Sequence, residues 1–268
     1  MTETANLPIG LFDSGIGGLT VLKQLRKILP NEDYVYLGDT ARTPYGPKGP
    51  QTIIQYSKEC LGFLESQGVK LVVVACNTAS SAALVELKKT CRVPVIGMIE
   101  PASGEAIKVT KGKIAVIGTR ATIKSNAYQI LIRDLNAKCD VLEAACPLFV
   151  PLVEEGIFDG PLVEHAIDKY LAPLKIACPD TLIMACTHYP LLREPLKRYF
   201  ASEIRIIDCG EASALVVLGI LNEKNICNTQ TSRGDTKFFV TDEPSRFKEV
   251  AQVFLGEKDM DVTVVRDL

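Results

Sequence analysis

The sequence predicts an α/β protein built from two pseudo-symmetric open parallel-sheet α/β domains facing a shared cleft. Three observations carry this expectation. Short apolar runs alternate with amphipathic stretches, the pattern of βα units around a parallel sheet. The spacing of those runs in the first half of the chain nearly repeats in the second. The third run of each half ends alike, Val72-Val-Val-Ala-Cys76-Asn-Thr78 against Leu182-Ile-Met-Ala-Cys186-Thr-His188.

Taken in order, strands are expected near 8–12, 34–38, 71–75 and 94–98, then near 113–117, 139–143, 181–185 and 204–208. Their starts lie 26, 37 and 23 residues apart in the first set and 26, 42 and 23 in the second. A helix is expected over 19–29, after the first strand, and another over 210–223. A polar connection from Asn222 to Gly234 follows, then a strand over 237–241, a helix over 245–255 and an edge strand over 261–266. The tail is expected to pack back on the first half. That gives a discontinuous domain of residues 1–98 plus 210–268, carrying Cys76, and a second domain of residues 99–209, carrying Cys186.

Composition excludes several classes. The 268 residues are 47% hydrophobic and 23% charged, an ordinary globular balance. Thirty basic and 32 acidic residues leave a net charge of -2 without long blocks, which argues against nucleic acid as a partner. Met1–Asn6 lacks the basic region and apolar core of a signal peptide. The longest apolar stretch, Ala212–Leu221, is about half of a membrane span. A cytoplasmic location with no membrane partner is expected. The nine cysteines are then reduced thiols, and with no C-x-x-C and two histidines, no metal site is expected.

Each motif has a plain reading and a functional one. In open parallel sheets ligands sit beyond the carboxyl ends of strands, where Cys76 and Cys186 both fall. Either alone could be a small residue filling a tight turn; two at equivalent positions point to function. Asp13-Ser-Gly-Ile-Gly-Gly18 opens the first helix and could hold an anion on its backbone N–H groups. It meets G-x-G-x-x-G only in part, because Thr20 takes the third place, and Asp39 would then be the ribose carboxylate. Gly38-Asp-Thr-Ala-Arg-Thr-Pro44-Tyr45-Gly46 reads equally as a surface loop or as a substrate-gripping lid. Ile117-Gly-Thr119-Arg-Ala-Thr122 is the second half's counterpart of the Asp13 loop, and its hydroxyls suit a carboxylate or ordinary capping. His188 can stabilise a thiolate or accept its proton. His165 lies within a charged helix and receives no role. Glu154-Glu155 reads as a helix-end pair that matters only if the fold brings one against a thiol.

Two thiols approaching one carbon from opposite sides have the arrangement that stereochemical inversion needs. One removes the α-proton while the other, still protonated, delivers a proton to the far face. A free thiol has a pKa of about 8.5 and must be drawn toward neutrality to act as a base. Helix N-termini beyond each cysteine are expected to do this, with Asp13 and His188 relaying protons. Ser14, Asn77, Thr78 and Thr187 would hold the substrate carboxylate and the developing charge. One thiol is expected to rest as thiolate, or to share its proton, while the other stays protonated.

Phe12–Leu19, Gly38–Gly46, Ala75-Cys-Asn-Thr-Ala79 and Ala185-Cys-Thr-His-Tyr-Pro190 together resemble glutamate racemase, of the cofactor-independent aspartate/glutamate racemase superfamily. The likeness runs from about Ile9 to Asp208 with the motifs in order; the tail has none. It implies two-base racemisation of L- and D-glutamate without pyridoxal phosphate, metal or nucleotide. Cys76 would work on the D-isomer's proton and Cys186 on the L-isomer's, assisted by Asp13, Glu154 and His188. The substrate contacts it implies are Asp13, Ser14, Pro44, Tyr45, Gly46, Cys76, Asn77, Thr78, Cys186, Thr187 and His188, with Thr119 and Thr122. Glu154 enters through the resemblance alone. A homodimer and D-glutamate supply for peptidoglycan are implied too. The first strand starts by residue 8, so activation by a cell-wall precursor, which in some relatives goes with an N-terminal extension, is not expected. The alternatives are an aspartate, hydantoin or other racemase or a decarboxylase of the superfamily, a Cys186–His188 hydrolase, and a nucleotide-binding or thiol-redox module on the Gly15–Gly18 loop.

Overall fold

The computed structural model describes residues 3–200, 204–257 and 260–268. Met1 and Thr2, part of the stretch read above for a leader, lie outside them. The strands are β1 (Ile9–Asp13), β2 (Tyr34–Gly38), β3 (Leu71–Val74), β4 (Val95–Ile96), β5 (Lys113–Gly118), β6 (Asp140–Ala145), β7 (Thr181–Ala185), β8 (Arg205–Asp208), β9 (Thr236–Val240) and β10 (Val262–Val264). The helices are α1 (Leu19–Ile28), α2 (Pro50–Ser66), α3 (Asn77–Thr90), α4 (Ile99–Val109), α5 (Arg120–Lys124), α6 (Ala127–Leu135), α7 (Phe149–Glu154), α8 (Pro161–Ala177), α9 (Arg193–Phe200), α10 (Cys209–Glu223) and α11 (Pro244–Leu255).

The first sheet runs β10-β9-β2-β1-β3-β4 and the second β6-β5-β7-β8. All their pairings are parallel. Within the first sheet the order β2-β1-β3-β4 matches β6-β5-β7-β8 strand for strand, so the repeated spacing reflects a repeated topology. Parallel pairing demands crossovers, and these are supplied by the intervening helices. The repeat is extended on one side only. β9, from the tail, pairs with β2 (Tyr34 beside Thr236, Gly38 beside Val240), and β10 pairs with β9.

Strands covered on both faces read as continuous apolar runs, and β1, β2, β3 and β7 are buried at every position. Alternation divides the first sheet's side chains. Phe12, Val35, Leu37, Val72 and Val74 pack in one cluster with residues of α2 and α3. Ile9, Leu11, Tyr34, Tyr36, Leu71 and Val73 join a larger cluster that continues into the second sheet through Met98, Ala102 and Ala106. The two sheets therefore share a core. α10 packs on α1 and α4, and α11 on α1.

Some boundaries differ from expectation for local reasons. β4 is cut to two residues because the Met98 N–H is taken by the Ser80 hydroxyl at 3.1 Å, drawing the chain off the sheet. β6 starts later and runs to Ala145, in register with Gly118 of β5. β10 keeps only the centre of its expected span. α10 starts one residue early because Asp208 caps it, accepting from the N–H groups of Gly210 (2.8 Å) and Glu211 (3.3 Å). No described helix is long and apolar enough to cross a membrane.

Candidate active site

Cys76 follows β3 in extended backbone and is the residue from which α3 starts; its carbonyl accepts the first helical bond, from Ser80 N–H at 2.8 Å. Its side chain caps nothing. Instead the thiol donates to the Ser14 hydroxyl at 3.5 Å. The Ala79 N–H at the helix start draws the thiol pKa down, as does Ser14, but burial outweighs both and the nearby Asp13 charge adds to it. The result is a thiol pushed up to about 11.

The second thiol departs from the expected symmetry. After β7 and Cys186 the chain enters a 3-10 turn, Tyr189–Leu192, and α9 starts only at Arg193. No α-helix N-terminus stands behind Cys186. The residue before a proline is turned away from α-helical backbone, and Pro190 follows only two residues after Thr187 and one after Tyr189. What this turn has instead is a relay. The Cys186 sulfur lies 3.9 Å from His188 Nδ1, and His188 Nε2 lies 3.0 Å from a Glu154 carboxylate oxygen. Burial pushes the Cys186 thiol well up, and the charges of Cys76 and Asp13 push the same way. Both thiols therefore rest protonated in the free protein. The expected pull toward neutrality from helix ends is present in part at Cys76, lacks a helix at Cys186, and loses to desolvation at both.

Asp13 links the two turns. It is fully buried at the end of β1, accepting from Gly15 N–H at 2.9 Å and from the Thr187 hydroxyl at 3.4 Å. Burial raises its pKa, while His188 and the N–H groups of Gly18 and Gly15 pull it back. The Thr20 hydroxyl donates to the Thr187 carbonyl at 2.7 Å, so the β1–α1 turn and the Cys186 turn interlock. This is what Gly17 is for: a Cβ there would stand 2.3 Å from the Thr187 hydroxyl and 2.5 Å from the His188 ring. The partial G-x-G-x-x-G pattern is thus explained by packing against a second strand end. Asp39 is likewise spent internally, on Arg42 Nε (2.7 and 2.9 Å), Tyr45 Oη and the Thr241 hydroxyl (3.1 Å).

Those bonds make the 38–46 segment a braced loop. Its tyrosine is buried with the hydroxyl engaged, Pro44 is exposed, and the Gly46 carbonyl accepts from Ala121 N–H of the second half at 3.2 Å. Gly46 lies against Thr119. There Thr78, Thr119 and Thr122 form a triangle of hydroxyls, 2.9 Å (Thr78–Thr119), 3.0 Å (Thr119–Thr122) and 3.3 Å (Thr78–Thr122). Thr119 also accepts from Thr122 N–H at 3.2 Å, so its capping and site readings hold together.

Asn77 stands beside this triangle in sequence and is 2% exposed. Its Oδ1 accepts from the Tyr128 hydroxyl at 2.6 Å, while its Nδ2 has no partner among the described residues. A buried amide donor without an acceptor costs roughly 1–3 kcal/mol unless a ligand supplies one. Tyr128 was invisible to sequence reasoning, because no periodicity connects a residue of α6 to the start of α3.

The remaining expectations divide cleanly. Glu154 meets His188, whereas Glu155 turns outward to Arg246 at 3.4 Å. His165 Nδ1 lies 2.6 Å from the Pro161 carbonyl on the exposed face of α8, remote from the chemistry in its bonding. Among the described residues no three or more His, Cys, Asp or Glu side chains gather as metal ligands. The assembled groups are two neutral thiols at equivalent strand ends, a buried carboxylate between their turns, a His–Glu relay on one of them, and unspent hydroxyl and amide donors. Such a set can take a proton from one face of a carbon acid and return one to the other.

A model of the Asp/Glu/hydantoin racemase family matches residues 10–217. The chain is 46% identical over 255 residues to the glutamate racemase of Geobacter metallireducens, covering 95% of this chain and 94% of that one. Its fold is similar to the crystal structure of glutamate racemase from Francisella tularensis in complex with D-glutamate, with a TM-score of 0.91, 37% identity, and 97% and 98% of the two chains covered. A glutamate racemase isoform from Bacillus anthracis gives a TM-score of 0.94 at 38% identity, again covering 97% and 98%.

Proposed function

This chain belongs to the Asp/Glu/hydantoin racemase family, and we propose that it interconverts L- and D-glutamate by a two-thiol proton exchange at the α-carbon. The single observation that carries the reading is the pair of buried thiols at equivalent strand ends, sharing Asp13 between their turns. Relatives named glutamate racemase, matched over most of the chain, support glutamate as the substrate over the shorter aspartate.

In this reading neither thiol starts as a base, so substrate binding must be accompanied by loss of one proton. For L-glutamate, Cys186 gives its proton to His188 Nδ1 while Nε2–H donates to Glu154. The thiolate then takes the α-proton, and the Cys76 thiol delivers its own to the opposite face. For D-glutamate the order reverses, with Cys76 activated by way of Ser14 and Asp13. Each turnover moves one proton onto the abstracting thiol and one off the other, so the enzyme ends in the mirror protonation state. Asn77 Nδ2, the Thr78, Thr119 and Thr122 hydroxyls, Ser14 and Thr187 would hold the carboxylates and the charge on the deprotonated α-carbon. Pro44, Tyr45 and Gly46 contribute the braced backbone against Thr119, since the Tyr45 hydroxyl is engaged elsewhere.

The same reading takes residues 1–98 plus 210–268 and residues 99–209 as the two domains, one thiol on each. It includes a cytoplasmic homodimer that uses no pyridoxal phosphate, metal or nucleotide and feeds D-glutamate to peptidoglycan. The test is solvent-deuterium uptake at the α-carbon of each glutamate enantiomer with no cofactor added, with aspartate as control. Wild type should racemise glutamate with label uptake, and Cys76→Ser and Cys186→Ser should each lose racemisation. Exchange into aspartate alone would keep the mechanism and change the substrate. Exchange into neither would overturn the reading.

A further inference from the structure

Asn77 carries an amide whose two ends look alike in size and differ in chemistry: the oxygen accepts and the nitrogen donates. Which end meets the substrate decides whether a carboxylate is held or repelled. Nothing in the backbone of α3 fixes this, because a half-turn about the last side-chain torsion exchanges the ends at little cost. The selection comes from across the molecule. The Tyr128 hydroxyl, fully buried on α6, donates to Oδ1 at 2.6 Å and leaves Nδ2 unpartnered. Behind the phenol stands Cys209, the first residue of α10, with its sulfur 3.3 Å from the Tyr128 oxygen and 3.2 Å from the Met184 carbonyl. The phenol proton goes to Asn77, and the thiol proton serves either oxygen behind it. Asn77, Tyr128 and Cys209 thus form a buried row that starts beside Cys76 and ends on the carbonyl of Met184, two residues before Cys186.

We propose that Tyr128, backed by Cys209, is a positioning residue that holds the Asn77 amide in the one orientation able to donate to a substrate carboxylate. This rests on the racemase reading of the site. Burial keeps the phenol protonated well beyond its ordinary range, and the Cys209 charge would push it further the same way. Tyr128 is therefore a permanent donor, and the amide orientation does not change with pH across the working range. The alternative orientation would turn Nδ2 toward a donor and Oδ1 toward the substrate carboxylate, costing a hydrogen bond at one end and adding repulsion at the other.

Removing the hydroxyl frees the amide to turn. Tyr128→Phe is expected to raise KM for both enantiomers roughly tenfold, the scale of one buried hydrogen bond. kcat should fall less than threefold, and the pH limbs should stay in place, because no proton-transferring group is touched. Cys209→Ala should move KM the same way by about twofold. The decisive measurement is the double substitution: in the Asn77→Ala background, Tyr128→Phe should have no further effect on KM. Additive losses would mean that Tyr128 acts by general packing and would overturn the proposal while leaving racemisation intact. Should the wild-type chain fail to racemise glutamate, the functional reading falls separately. The proposal is then decided by the Asn77 side-chain amide 15N resonance, which must shift in Tyr128→Phe; an unchanged resonance overturns it.

Discussion

The turns at Cys76 and Cys186 close strands of the same rank in sheets of the same order, yet they handle a proton differently. Behind Cys76 a 14-residue helix presents its backbone N–H groups, and the thiol's side-chain partner is the Ser14 hydroxyl. Behind Cys186 there is a 3-10 turn, and the nearby group is an imidazole already coupled to a carboxylate. One site relies on fixed dipoles and the other on a base that can take the proton away. The difference teaches that topological repetition supplies matched positions for two acid–base groups, while local sequence sets how each is tuned. A racemase needs equal competence on both faces, not identical means.

The comparison breaks most easily at the thiols. Cys76→Ser and Cys186→Ser should each reduce racemisation by at least about a thousandfold, since a hydroxyl is a far weaker acid. The expected residue of activity is one-sided, with α-hydrogen exchange surviving in only one enantiomer for each variant. Exchange of both enantiomers in either variant would end the assignment of sides.

His188→Asn tests the relay and should cost about a hundredfold. Because the reaction has an equilibrium constant of unity, kcat/KM must fall equally in both directions. The side affected is seen instead in the primary isotope effect. It should grow with 2-deuterated L-glutamate, whose label is removed at Cys186, and shrink with the D-isomer. The opposite pattern would place His188 on the Cys76 side.

Stability against alkali reads the helix-backed thiol alone. Between its ordinary value of 9.0 and about 11, Cys76 keeps its proton in the folded chain and loses it in the unfolded one. The unfolded chain then binds fewer protons, so stability is full below pH 9 and falls as pH rises through that window. In Cys76→Ser this fall should be shallower by about 2–3 kcal/mol in urea unfolding. An unchanged slope would mean that the thiol is not desolvated in solution. The smallest effect is expected at Glu154→Gln, about tenfold in kcat with the same isotope signature as His188→Asn, because the imidazole keeps a weaker partner. Glu155→Gln, whose carboxylate faces Arg246, should be silent.

Much of this was legible beforehand because strands in a parallel sheet are written as unbroken apolar runs, and their carboxyl ends mark themselves by the switch to polar residues. That is why Cys76 and Cys186 could be singled out, and why the motifs around Asp13 and Thr119 could be paired. The helix behind Cys186 was misread because Thr187 and His188 look like capping residues, whereas Pro190 closes off the α-helical turn. Resting thiolate character was misjudged because burial, which outweighs the helix dipole here, belongs to the assembled molecule. Tyr128 and Cys209 could not be found at all: their bonds to Asn77 and to each other span 51 and 81 positions and cross between the halves.

The pairing of β9 with β2 also matters while the chain is being made. Tyr34 finds its neighbour Thr236 only 202 residues later. At roughly 5–20 residues per second, a ribosome takes about 10–40 s to deliver that partner. Throughout that interval β2 is an outer strand with a free row of backbone donors and acceptors, a template for pairing with another nascent chain. The second sheet, by contrast, is encoded without interruption and has all four strands before β9 is translated. Assembly in the cell therefore proceeds from the middle of the gene product outward, with the N-terminal sheet sealed last, and folding helpers would have most to protect at the β2 edge.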